Sequence, residues 1–174
     1  MSKYSEIFGH INQAFQDGEQ YRYDCADFFK EMRKAIIEYL EVPEENIAWH
    51  NSEVEGTYNM VNLLGGMRLQ EDGYYLNECK LTFGDDRILN KYNFIFTVAV
   101  KKIRIEDDAF FVKLPYSNSA TEYKIAYPGV YSSWEEFLQA MFDHIVDYYQ
   151  DGLNKFLSGG QYNPIGFKTS KIEE

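Results

Sequence analysis

The stretch Asp72-Gly73-Tyr74-Tyr75-Leu76-Asn77-Glu78-Cys79-Lys80-Leu81-Thr82-Phe83 decides the fold class. Tyr75, Asn77, Cys79, Leu81 and Phe83 alternate with Tyr74, Leu76, Glu78, Lys80 and Thr82. That period of two belongs to a strand with one face buried and one wet. Asp72-Gly73 in front of it is a hairpin signal, because the favoured short turns need positive φ and Asp and Gly tolerate it.

Working outward, the same period recurs on both sides. Val54, Gly56, Tyr58 and Met60 alternate with Glu55, Thr57 and Asn59, and Gly65-Gly66 offers a tight turn before a return through Met67 to Gln70. Downstream, 93–105 is the longest strand, with Phe94, Phe96, Val98 and Val100 on one face. Past Lys101-Lys102 the apolar phase flips to Ile103 and Ile105, which predicts a one-residue β-bulge at the lysines. Lys101, Lys102 and Arg104 then read as a guard on an edge strand. Phe110, Val112 and Leu114 follow, and then Tyr123, Ile125 and Tyr127. The sum is an antiparallel meander of about six strands.

Helical periodicity brackets the meander. Residues 4–16 place Ile7, Phe8, Ile11 and Phe15 on one side, and Asp17-Gly18 ends that helix. Residues 25–41 carry Phe28, Phe29, Met32, Ile36, Tyr39 and Leu40 as a second stripe, with Asp24 as the cap and Pro43 as the stop. Residues 133–157 form the strongest helix, with Ser132 or Ser133 capping it and Trp134, Leu138, Met141, Ile145, Tyr148, Tyr149 and Phe156 down one side. The expected architecture is α+β: two N-terminal helices, the meander, and a long C-terminal helix packed on the sheet. Residues 1–160 form one domain and 161–174 a mobile tail. In element order this resembles helix-grip folds, in which a curved sheet wraps a long terminal helix around a ligand cavity, although the usual first strand is missing here.

Charge supplies the functional reading. The chain has 174 residues and a formal net charge of −11, with 28 acids against 17 bases. Residues 1–87 hold 17 acids and 8 bases, so the acidity belongs to the N-terminal half. Such a field repels phosphate backbones and anionic headgroups, so neither direct nucleic-acid binding nor membrane attachment is expected, and it favours a basic protein partner. Cys25 and Cys79 are too few for a secreted disulfide scaffold, and the first twenty residues hold no unbroken apolar run, so the expected compartment is the cytoplasm.

Chemistry-bearing motifs are scarce. No glycine-rich phosphate loop, Cys-x-x-Cys pair or Gly-x-Ser-x-Gly elbow occurs, so no cofactor and no metal are expected. Cys25, in the first turn of the second predicted helix, is a weak thiol candidate. The 15 tyrosines suit half-buried sheet positions or an interface.

The leading expectation is therefore a non-catalytic acidic interaction protein, of inhibitor, immunity, nucleic-acid-mimic or chaperone type. Its partner-binding residues would be Glu41, Glu44, Glu45, Glu53 and Glu55, Glu136, Asp143, Asp147 and Asp151 on the last helix, and Tyr21, Tyr23 and Tyr131. One alternative is a small-molecule or lipid carrier with a cavity between curved sheet and C-terminal helix. Another is an enzyme using His50 or His144 with nearby carboxylates.

Overall fold

The computed structural model describes residues 2–50, 63–84, 92–104, 108–115, 121–128 and 133–157, with side chains placed as far as residue 150. In chain order the elements are α1 (Lys3–Leu40), a 3-10 turn (Glu44–Asn46), β1 (Ile47–His50), α2 (Leu63–Gly66), β2 (Arg68–Leu69), β3 (Tyr75–Phe83), β4 (Tyr92–Lys102), β5 (Ala109–Lys113), β6 (Tyr123–Ala126) and α3 (Glu135–Leu157). The fold is α+β, with an antiparallel sheet in the order β1-β3-β4-β5-β6 and β2 paired to β3.

The N-terminal pair of helices is a correction. Residues 3–40 form one uninterrupted helix of 38 residues. A glycine inside a helix costs only about 1 kcal/mol, so Gly9 and Gly18 tax α1 without ending it. Two side-chain bridges bracket Gly18: Gln13 Nε2 donates to Asp17 Oδ1 at 2.8 Å, and Gln20 Nε2 donates to Asp24 Oδ1 at 2.7 Å. Asp24 is therefore a mid-helix residue and caps nothing. The helix stops as Pro43 requires, with Glu41 in the left-handed region at φ 51° and its amide bonded to the Ile37 carbonyl.

The predicted hairpin at Asp72-Gly73 forms. Gly73 has φ 83°, Gln70 and Tyr74 close the turn through their backbones, and Arg68 and Leu69 pair with Leu76 and Tyr75. β3 and β4 pair from Tyr75 opposite Val100 to Phe83 opposite Tyr92. Cross-strand partners share a face, so Tyr75, Asn77, Cys79 and Leu81 join Phe94, Phe96, Val98 and Val100 on the inner one.

Three expectations about strands fail on geometry. β4 pairs with β5 without interruption through Lys102, so no bulge sits at the lysines; the strand ends there and the apolar phase has nothing to flip against. β4 lies in the middle of the sheet, so its lysines guard no edge; Lys102 binds Asp24 and Lys101 donates to the Asp72 carbonyl. Gly65-Gly66 belongs to the single helical turn α2 instead of a hairpin. The strand expected at 54–60 and the tail at 161–174 lie outside the described residues.

The second half of α1 and α3 both cover the inner face. Phe28 is sandwiched between Phe110 and Trp134, with ring centroids 4.2 and 4.9 Å away. Phe29 meets the Trp49 edge, and Phe137 of α3 meets Tyr123 of β6. Met32, Ile36, Leu138 and Met141 are fully buried among them. These side chains pack together between the sheet and the two helices.

Candidate functional site

α3 is helical because Trp134, Phe137, Leu138, Met141 and Ile145 recur at three- and four-residue spacing and are buried on the sheet. The same geometry sends the intervening carboxylates outward. Glu136, Asp143 and Asp147 stand seven and four residues apart, which is one side of a 3.6-residue helix, and all three are exposed. Glu135, Glu136 and Asp143 line an open surface groove of about 720 Å³ together with Lys124, Ser133, Gln139 and Ala140.

The groove floor is tied down. Gln139 accepts from the Tyr39 hydroxyl at 2.6 Å and donates to Asp143 Oδ1 at 2.8 Å, linking the end of α1 to the acidic side of α3. Among the described residues, no lysine or arginine forms a salt bridge with Glu135, Glu136, Asp143 or Asp147. Among the described residues these carboxylates are not ion-paired, and Lys124 lines the groove beside Glu135, Glu136 and Asp143. Asp151 continues α3, and its side chain lies outside the described residues.

Among the described residues, the other expected partner-binding residues lie elsewhere. Glu44 is engaged within the fold, its carboxylate and carbonyl each accepting from Arg33 at 2.8 Å. Glu41 occupies the left-handed position after α1, and Glu45 sits in the 3-10 turn. Tyr21 is half-buried and gives its hydroxyl to the Gly73 carbonyl, while Tyr23 is exposed. Glu53, Glu55 and Tyr131 lie outside the described residues.

The two histidines proposed for an enzyme occupy opposite faces of the sheet. His50 is buried on the outer face as the register partner of Glu78, and Arg68 Nη2 holds the Glu78 carboxylate at 2.8 Å. His144 lies on the inner side with its ring 6.0 Å from Phe94; burial lowers its pKa below the usual imidazole value, and nearby Asp147 opposes that shift. Cys25 is corrected from a helix start to the middle of α1. It is fully buried, and burial pushes its thiol pKa up to about 12, which is the opposite of an activated nucleophile. Among the described residues no cluster of His, Cys, Asp and Glu could hold a metal ion, and no helix is long and apolar enough to cross a membrane.

The apolar side of the first half of α1 does not join the core. Tyr4, Ile7, Phe8, Ile11 and Phe15 are all exposed, on a part of α1 in which none of residues 2–20 is buried. The available signal was the uncharged company these residues keep: between Tyr4 and Gln16 the only formal charge is Glu6. Comparison with known protein families, curated proteins and solved structures finds no match to this chain.

Proposed function

We propose that this is a non-catalytic interaction protein whose acidic body binds a basic surface of a macromolecular partner. The observation that supports it is the stripe Glu136, Asp143 and Asp147 beside an open groove, with no cation paired to it among the described residues. Carboxylates held at fixed spacing on a helix, with a net charge of −11 behind them, steer a cationic surface and set its register. An open groove with polar walls suits a protruding lysine- or arginine-rich segment better than a small apolar ligand, which needs a concave and mainly apolar pocket.

The test is a titration of the 15N-labelled protein with an oligolysine peptide, followed by backbone amide shifts at two salt concentrations. Shifts concentrated on 135–147, weakened by added salt and by the combined variant Glu136→Gln, Asp143→Asn and Asp147→Asn, support the reading. Shifts spread evenly over the surface, or a response indifferent to that variant, remove it.

A further inference from the structure

The first half of α1 is a stalk. None of residues 2–20 is buried, and the first half-buried apolar side chain is Tyr21. The 18 helical residues before it extend about 27 Å at 1.5 Å per residue. Along one side stand Tyr4, Ile7, Phe8, Ile11 and Phe15, exposed by 76, 60, 53, 59 and 68%. Isolated helices of this length are marginal in water, and Gly9 and Gly18 weaken this one further. A stripe of five large apolar side chains on such a helix is the signature of a surface that is covered by something.

We propose that the stalk is covered by the stalk of a second copy of this chain, paired antiparallel. Tyr4, Phe8, Ile11 and Phe15 are separated by four, three and four residues, the spacing of a two-heptad seam. That spacing reads the same in both directions. A two-fold antiparallel pair therefore sets Tyr4 against Phe15 and Phe8 against Ile11 twice over, which is the self-complementarity a closed dimer demands. The positions flanking the seam are Ser5, Ile7, Asn12 and Ala14, all uncharged, so self-pairing meets no like-charge repulsion. Lys3, Glu6, His10 and Asp17 lie off the seam.

The long-range charge selects the direction. Two chains of −11 repel each other, and a parallel pair would place their bodies side by side. An antiparallel pair holds them at opposite ends of the paired stalks, about 27 Å apart, well beyond the Debye length of about 8 Å at physiological salt. Large aromatic and aliphatic side chains of this kind offer about 500 Å² per chain, which with the flanking Ala14 and methylene groups approaches the roughly 800 Å² per partner of a specific interface. Insertion into a bilayer surface is disfavoured by the polar side of the stalk, which carries the single lysine Lys3 against Glu6 and Asp17 where such helices are rich in lysine and arginine.

Sedimentation equilibrium of the full chain across the micromolar range tests the dimer, and the double variant Phe8→Glu with Ile11→Glu tests the seam. A monomer–dimer equilibrium weakened at least about tenfold by that variant, with unchanged Trp49 and Trp134 fluorescence reporting an intact body, supports the proposal. For direction, Tyr4→Cys mixed with Phe15→Cys forms a crossed disulfide, and Tyr4→Cys alone does not dimerise covalently; the buried native Cys25 and Cys79 stay out of the reaction. A chain monomeric throughout, a dimer indifferent to Phe8→Glu with Ile11→Glu, a disulfide from Tyr4→Cys alone, or capture of the monomer by neutral lipid vesicles overturns it.

Discussion

Lys102 Nζ donates to Asp24 Oδ2 at 2.6 Å across 78 residues of chain, and this ion pair marks where α1 meets the sheet. Asp24 precedes Cys25, the first fully buried residue of the helix. The pair is largely shielded, with side-chain exposures of 13 and 22%. Removing one partner leaves a poorly solvated charge. Lys102→Met is expected to cost about 2 kcal/mol in urea unfolding, and adding Asp24→Asn should return part of that loss. Equal stability of Lys102→Met and the parent would show that the pair contributes nothing net.

His144 makes stability depend on pH in a defined direction. Its pKa is lower in the fold than the ordinary 6.5, because burial against Phe94 penalises the imidazolium. The unfolded chain therefore binds the proton more readily, and acidification favours unfolding. The contribution is intact above the unfolded value and is lost as pH falls through the folded one. Urea midpoints measured downward from pH 8 should fall once pH drops below about 6.5, and His144→Gln should flatten that part of the curve.

Glu41 holds a left-handed backbone that costs an L-residue about 1 kcal/mol. Glu41→Gly removes that cost while enlarging the freedom of the unfolded chain. The net expectation is a gain of a few tenths of a kcal/mol up to about 1 kcal/mol, read as a higher thermal midpoint. A lower midpoint would mean that the Glu41 side chain contributes more than its backbone costs.

Two tyrosines at similar depth should respond oppositely to loss of the hydroxyl. Tyr149 packs against Phe83 and Phe94, and its buried oxygen has no hydrogen-bond partner among the described residues. Tyr149→Phe is expected to be neutral or stabilising by up to about 1 kcal/mol. Tyr21→Phe deletes the donor to the Gly73 carbonyl and should destabilise by about 1 kcal/mol. Chemical denaturation of the two variants side by side decides it.

The strands that alternate strictly were legible from sequence, because burial of one face writes a period of two into Tyr75–Phe83 and Phe94–Val100. α3 was legible for the corresponding reason at 3.6. β1 was not, since Ile47-Ala-Trp-His50 is too short to show a period, and it is fixed by pairing with Leu81 through Glu78. Asp17-Gly18 reads as a helix end because turn chemistry is local, whereas the bridges that carry α1 through it, Gln13 to Asp17 and Gln20 to Asp24, look like ordinary polar spacing in the sequence. The acidic stripe of α3 followed from helix period alone. The exposure of Tyr4 to Phe15 did not, because apolar periodicity states which residues share a side and is silent on whether anything faces it.

The root of α1 has a mechanical meaning. Tyr21 is bonded to the β2–β3 turn, Arg22 to the Leu64 carbonyl and Asp24 to β4, so three separate parts of the body grip one helical turn. The rod then runs unbroken to Phe28 and Phe29 at the centre of the packing. From this turn inward the helix has no glycine to bend at, so a pull or twist that reaches Tyr21 is delivered to the aromatic interior.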